Sequence, residues 1–438
     1  MKVTIFGLGR YEHGSGLAAT KFYLDKNVDL LITDQQTEEE LKEQIKRVND
    51  YAQSVDFQGK ITWAMGQHKP EYITEADRVV FNQAVPISSE WVGLAKKNNI
   101  PFESEITLFF KHCKVKIIGI TGTRGKSTVT ALVHHVLKSA GYEVHLGGNI
   151  AQMAALELLP NIQPEDWVVL EISNFMLEYL DEEKISPPIA VLTNIMSDHL
   201  SRYQGSMEAY AEVKATITKY QKPEDYFITS SQNPLTKNIA ENSPAKVVWY
   251  DQEAIDPSES NLKGQHNLAN IQAAYCAAHL LGVSESQIQK ALATFKTLTG
   301  RQELVRELDD VKYINDTTAT TPDALLAALQ SFEDRTLILI AGGSDKGLDF
   351  SPLVNVLPKA VAEAIWLPGE GTNKLRESLK NAKMSEYEAS SMQEAVKKAH
   401  KMAKPGNIVL LSPGCASFGL FKNEFDRGDQ FKKAVSDL

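Results

Sequence analysis

Residues 116–128, KIIGITGTRGKST, carry the residue types that hold a phosphate chain. The apolar start reads as a buried strand and the end as the opening of a helix, with the turn Gly122-Thr123-Arg124-Gly125 between them. Backbone N–H groups in such a turn, with the positive end of the helix, face an anion. Lys126 adds a point charge, and Ser127, followed by Thr128, offers a hydroxyl to magnesium. The spacing departs from GxxxxGK[ST], whose first glycine would fall at Ile120. The strand before and the helix after still favour a nucleoside triphosphate site over a generic glycine turn with a surface lysine.

Three further groups bear on that site. Glu171 ends the apolar run WVVLE, where open sheets place their ligands. A carboxylate facing a triphosphate is repulsive unless a cation lies between, so Glu171 is expected to serve magnesium; the alternative is a helix-start carboxylate before SNF. Asp198 and His199 follow the run IAVLTNI, and the neutral imidazole of His199 has a lone pair for a metal. Lys214, in SMEAYAEVKATITKY, reads from spacing alone as a solvated lysine on a polar helix face.

Nearer the start, VTIF runs into Gly7, Gly9, Gly14 and Gly16, and VDLLITD ends in Asp34. The glycine spacing is longer than GxGxxG. Asp34 stands where a ribose or uracil partner would lie. A dinucleotide, another nucleotide or sugar nucleotide, and a packing turn without ligand all remain open readings.

These residues need sheets to position them. Strand candidates at 2–6, 28–34 and 79–82 form one α/β unit. A second begins at 116 and continues through 167–172, 189–195, 225–230 and 246–251 to a long helical run from His266 to Leu281. A third uses 312–316, 336–342, 363–369 and 407–414. Apolar strands alternating with helical stretches predict mostly parallel, covered sheets. The expected class is therefore α/β with three domains: 1–111 of Rossmann-like type, 112–297 around the phosphate loop, and 298–438 of doubly wound type. The seams are expected near 108–116 and 296–302.

Bulk properties agree with such an enzyme. A chain of 438 residues exceeds one ordinary core. Hydrophobic content of 43% and charged content of 23% fit a folded protein in water. A net charge of -10 argues against a general nucleic-acid binder. Cys113, Cys276 and Cys415 have neither zinc nor disulfide spacing and are expected as reduced thiols. The chain enters a strand directly, without a leader pattern, and no apolar run approaches the ~18 residues of a membrane helix, so a cytoplasmic location is expected.

Taken in order, the motifs resemble those of the Mur ligases over nearly the whole chain. The family's TGTxGK[ST] is TGTRGKS at 121–127, and its GGNIG is GGNIA at 147–151. The acidic strand end with SSFQLE is EISNFMLE at 171–178, and N-x-x-x-DH-x-x-R is NIMSDHLSR at 194–202. GxHNxxN is GQHNLAN at 264–270, and the seam motif ending in arginine falls at Arg301. GGxxKGxDF is GGSDKGLDF at 342–350; SPxxAS is SPGCAS at 412–417, followed by FKNEFDRG at 421–428.

The resemblance, strongest to the branch that adds D-glutamate, implies an ATP-dependent ligase with two Mg2+ ions. It would join D-glutamate to UDP-N-acetylmuramoyl-L-alanine in peptidoglycan precursor synthesis. It implies that Lys126 meets the β- and γ-phosphates, that Ser127 and Glu171 hold one magnesium and His199 a second, and that Lys214 is carbamylated toward metal. Asn267 and Asn270 would contact the adenine side, and Arg301 and Asp316 the ATP. Gly7, Asp34 and Asn149 would serve the UDP substrate; Thr320, Lys346, Ser417 and Phe425 would receive D-glutamate. A monomer without membrane insertion is expected.

Departures from the family pattern are local. Arg124 stands for the usual asparagine, Thr299 and Gly300 replace a proline and histidine, and Thr318 stands where a lysine is usual. Phe425 is displaced by one place, with Glu424 before it. The first glycine loop is lengthened around residues 11–13. Two rival readings follow: the same chemistry with L-glutamate or another amino acid, and a nucleotide-binding regulatory protein without catalysis.

Overall fold

Three sheets follow one another along the chain of the computed structural model, which describes all residues except 151–152, 198–199, 204, 258–259, 261, 263, 333–336 and 383, and the side chains of Leu200, Ser201 and Gln265. The first contains β1 (Lys2–Phe6), β2 (Asp29–Asp34), β3 (Ile61–Met65), β4 (Arg78–Phe81) and β5 (Phe102–Ser104), in the order β3-β2-β1-β4-β5. The second contains β6 (Lys116–Thr121), β7 (Val144–Gly148), β8 (Trp167–Glu171), β9 (Ile189–Leu192), β10 (Tyr226–Thr229) and β11 (Lys246–Trp249), in the order β11-β10-β9-β6-β8-β7. The third contains β12 (Glu303–Leu308), β13 (Val311–Asn315), β14 (Leu337–Ala341), β15 (Val361–Trp366), β16 (Ser385–Glu388) and β17 (Ile408–Leu411), in the order β12-β13-β17-β14-β15-β16. Among the described residues, every pairing between these strands is parallel except β12 with β13.

By compactness the chain forms two units. One comprises residues 1–256 with 269–291 and carries the first two sheets; the other comprises 257–268 with 292–438 and carries the third. In the first unit one apolar core runs from Ile5 and Leu17 through Ile106 and Phe109 to Leu156, Leu170 and Leu177. The helix Glu105–His112 lies within it, started by a capping box in which Ser104 and Thr107 satisfy each other's backbone N–H groups.

The central strands are the ones the apolar runs predict. β6, β8 and β9 are buried along almost their whole length, as helices on both faces require. The expectation missed β3, β5, β7, β12 and β16, and all five are sheet edges. An edge strand is paired on one side only and is less covered, so it needs no continuous apolar run. β16, SEYE, is exposed at every position, and β12, ELVREL, mixes charged with apolar residues and is nowhere fully buried. The expected run from His266 to Leu281 is the helix Gln265–His279.

In the first two sheets the chain leaves a central strand in both directions, from β1 to β2 and β4, and from β6 to β8 and β9. Open α/β sheets bind ligands at the carboxyl ends of strands at such reversals. Gly7 follows β1, and the phosphate-type turn follows β6. Among the described residues, no helix is long and apolar enough to cross a membrane.

Candidate active site

The turn after β6 is held by the end of β9. Thr123 N–H donates to the Asn194 carbonyl at 2.9 Å, and Arg124 N–H donates to Asn194 Oδ1 at 2.9 Å. The Arg124 carbonyl accepts from Thr193 Oγ1 at 2.6 Å and from Asn194 Nδ2 at 3.1 Å. Thr123 Oγ1 accepts from Met196 N–H at 3.0 Å and lies 3.2 Å from the Tyr210 hydroxyl. The backbone is therefore fixed before any ligand arrives.

Two glycines are obligatory here. Gly122 has φ +149, and a Cβ on it would stand 1.9 Å from Thr193 Oγ1. Gly125 has φ +83, and a Cβ would stand 2.2 Å from Asn270 Oδ1. The helix Lys126–Ser139 starts directly after Gly125, with Ser127 in its first turn. Lys126 Nζ turns back onto the carbonyls of Gly122 and Thr123, at 3.1 and 3.0 Å.

Glu171 stands opposite Ile120 in the β6–β8 register and is 2% exposed. Its Oε1 accepts from Asn149 Nδ2 at 2.9 Å, while its Oε2 is buried without a hydrogen-bond partner. A buried carboxylate oxygen is costly to leave unpaired. Such an oxygen at a strand end is the donor that a magnesium ion fits. Gly148 leads into Asn149 with φ +92, where a Cβ would meet the Glu171 carbonyl at 2.3 Å.

Lys214 overturns the reading drawn from its spacing. It is 1% exposed on the helix Met207–Lys219, its Nζ donates to the Gly122 carbonyl at 2.9 Å, and it lies 4.7 Å from the Tyr210 ring centre. Thus Gly122–Ser127 and Lys214 are brought to one place, with Glu171 at the adjoining strand end. Asn270, buried, joins them through Gly125; Asn267 lies on the same helix and is also buried. Asp198 and His199 lie outside the described residues. Among the described residues no three His, Cys, Asp or Glu side chains converge on one point. The remaining expected donors, Ser127 and a modified Lys214, are of other types.

The first glycine turn is built differently. Gly7 N–H donates to the Thr33 carbonyl at 2.8 Å. Asp34 accepts from Gly9 N–H through Oδ2 and from Gln36 N–H through Oδ1, both at 3.0 Å, so the carboxylate organises the turn. Gly16 sits where a Cβ would be 2.2 Å from the Gly7 carbonyl.

In the second unit, three loops leave the ends of β13, β14 and β17 together. Ser344 and Ala416 form an antiparallel bridge, which joins the Lys346 loop to the Ser417 loop. Gly414 N–H donates to the Ala319 carbonyl at 2.8 Å, which brings in Thr320. Arg427, fully buried, donates to Thr317 Oγ1, the Thr317 carbonyl and the Cys415 carbonyl; burial lowers its pKa to about 10. Lys346 is exposed, Ser417 is buried, and Phe425 is 38% exposed in the first turn of the helix Glu424–Ser436. Thr318, at the place of the usual lysine, donates its hydroxyl to the Gly300 carbonyl at 2.9 Å. Asp316 accepts from Ser412 Oγ at 2.8 Å and Gln302 N–H at 3.2 Å, and burial pushes its pKa up to about 7. Arg301, which precedes Gln302, is exposed.

Sequence reasoning missed Thr193, Tyr210 and the anchoring role of Asn194. Their contacts join distant parts of the chain, and only Asn194 stood inside a motif.

A parallel-sheet phosphate turn, a buried carboxylate at the neighbouring strand end and a separate α/β unit define a class of multidomain nucleotide-dependent enzymes. The profile of the Mur ligase middle domain matches residues 120–259, and that of the Mur ligase glutamate ligase domain matches residues 300–415. A UDP-N-acetylmuramoylalanine–D-glutamate ligase of Roseiflexus sp. (strain RS-1) is 36% identical over 472 residues, covering 100% of this chain and 98% of that protein. A like-named protein of Caldanaerobacter subterraneus subsp. tengcongensis is 33% identical over 463 residues, with 100% and 98% covered. The chain belongs to the Mur ligase family. Among solved structures, UDP-N-acetylmuramate-alanine ligase MurC of Thermotoga maritima shares the fold with a TM-score of 0.62 at 18% identity, covering 100% of this chain and 99% of that one. MurF ligase of Thermotoga maritima in complex with ADP gives 0.58 at 17% identity, with 94% and 97% covered.

Proposed function

We propose that the protein is an ATP-dependent ligase that adds D-glutamate to UDP-N-acetylmuramoyl-L-alanine, releasing ADP and phosphate, in cytoplasmic peptidoglycan precursor synthesis. A carboxylate acylates poorly because oxide would have to leave. Transfer of the γ-phosphoryl of ATP to the substrate carboxylate gives an acyl phosphate. The amine then attacks the carbonyl carbon, a tetrahedral intermediate forms, and phosphate leaves as the amide is made. Such a phosphoryl step asks the protein mainly for positioning and charge neutralisation.

The carrying observation is the rigid turn over Lys126 beside Glu171, whose Oε2 is buried and unpaired. Gly122, Thr123, Arg124, Gly125 and Thr128 line the phosphate chain, and Lys126 leaves the two loop carbonyls to meet the β- and γ-phosphates. Ser127, Glu171, His199 and Lys214 as a carbamate would hold two Mg2+ ions. Bound magnesium supplies charge neutralisation at the phosphoryl oxygens. Asn267, Asn270, Arg301 and Asp316 serve ATP. Gly7, Asp34 and Asn149 serve the UDP substrate. Thr320, Lys346, Ser417 and Phe425 receive D-glutamate, with Lys346 the cationic partner of an amino-acid carboxylate. The domains proposed are 1–111, 112–297 and 298–438.

The test is ADP release with ATP, magnesium and the UDP substrate, together with the mass of the product. Release that needs all three and an amino acid supports the reading; binding of ATP without release under any amino acid refutes it.

A further inference from the structure

The lengthened first glycine loop is tied down on both sides of one exposed aromatic residue. Before it, Gly9 N–H donates to Asp34, Arg10 Nε donates to Gln36 Oε1, and Arg10 Nη2 reaches Glu40 at 3.3 Å. Gln44 Nε2 donates to the Arg10 carbonyl. After it, Glu12 accepts from Arg47 Nη1 at 2.6 Å, and His13 Nδ1 lies 2.8 Å from Glu157 Oε2. A carboxylate only accepts, so the His13 Nδ1 carries the proton. The other Glu157 oxygen accepts from Lys21 Nζ at 3.1 Å, on the helix Ser15–Leu24 that the loop enters. Between these ties, Tyr11 is 61% exposed.

Glu157 comes from the 3-10 helix Ala155–Asn161, a short stretch downstream of Asn149 and packed on the same core. That segment is itself anchored to the first sheet's half, because Glu105 Oε1 accepts from Leu156 N–H at 2.7 Å. One buried-side carboxylate thus clamps the loop and the helix that follows it, with its side chain only 14% exposed. Charge-assisted bonds of this kind are the strong ones, and a loop ordered in advance loses less entropy when it binds.

We propose that Glu157 is a positioning residue for the UDP substrate: through His13 and Lys21 it sets the first glycine loop so that Tyr11 is presented at the ligand edge of the first sheet, against the uridine or amino-sugar face. An aromatic ring offers a broad apolar face at small entropic cost, which suits a base or a sugar ring. The inference rests on the ligase reading above, since that reading names the substrate.

The experiment is calorimetric binding of UDP-N-acetylmuramoyl-L-alanine without ATP, followed by steady-state kinetics, on wild type, Glu157→Ala, His13→Ala and Tyr11→Ala. His13 and Tyr11 lie on the surface loop, so their variants test the clamp even where Glu157→Ala fails to fold. Each folded variant is expected to weaken binding and raise KM for the UDP substrate by about tenfold. KM for ATP and kcat stay within about twofold, a split that general loss of structure would not give. Wild-type protein that binds while His13→Ala and Tyr11→Ala bind equally well overturns the inference and leaves the ligase reading intact. Parallel losses in ATP affinity overturn it as well. Wild-type protein that binds no UDP substrate overturns both.

Discussion

Asn149 donates its side-chain amide to Glu171 across 2.9 Å, joining the ends of β7 and β8. The bond fixes one oxygen of a carboxylate that is 2% exposed and leaves the other buried and unpaired. A cation completes such a site. Glu171→Gln keeps an oxygen for Asn149 but removes the charge. The expected result is a magnesium requirement raised by at least about 10–100-fold, the range seen when only the outer-shell partners of metal ligands are altered. A magnesium titration of ADP release measures it; an unchanged midpoint would remove Glu171 from the metal.

The turn over Lys126 tolerates no added carbon at Gly122. Its φ of +149 is a strained place for an L side chain, and the Cβ would lie 1.9 Å from Thr193 Oγ1. Gly122→Ala should lower stability by roughly 1–3 kcal/mol and displace the turn. Chemical denaturation reads the first effect and ATP affinity the second. Wild-type values for both would mean that the turn is soft.

Lys126 Nζ donates to the carbonyls of Gly122 and Thr123 in its own loop. On the proposed role, Lys126→Ala removes a cation that meets the phosphates without exposing a core. Loss of kcat by about 10²–10³-fold is expected, the scale of deleting one transition-state donor. A Tm within about 2 °C of wild type would separate this from unfolding.

Glu105 is a pH-sensitive feature of the first unit. It is buried, its Oε2 has no partner, and burial raises its pKa from 4.5 to about 7. The folded protein therefore binds a proton that the unfolded chain has released between these two values. The stability linked to Glu105 is fully present below pH 4.5 and is lost as pH rises toward 7 and beyond. Glu105→Gln keeps an acceptor for Leu156 N–H and cannot ionise. Relative to wild type it should gain a few kcal/mol at pH 8 and almost nothing at pH 4.5. Urea unfolding at both pH values checks this, and an equal effect at each would contradict it.

The sequence shows the centre of each sheet more readily than its rim. β6, β8 and β9 declare themselves because two covered faces demand unbroken apolar runs. β16 meets solvent at every position, and its Glu386 and Glu388 accept from Trp366 and Arg376 through contacts no local pattern shows, so its letters resemble a loop. Lys214 shows the same limit at the site. Its spacing gives a solvated lysine, but Tyr210 and the Gly122 carbonyl enclose it through contacts far apart in sequence. The glycine turn after β6 was legible as a strand–turn–helix because its residues are consecutive. The clamp from Glu157 to His13 was not, since it joins residues of two different sheets' halves.

The most direct test of the account is ADP release with ATP, magnesium and UDP-N-acetylmuramoyl-L-alanine, scanned over D- and L-amino acids, with the product mass determined. The account predicts turnover with D-glutamate and a product heavier by one glutamyl residue, and no turnover with L-glutamate. Turnover with a different amino acid alone would contradict the specificity and direct attention to Glu424, Phe425 and Thr318. No ADP release with any amino acid would contradict the ligase itself.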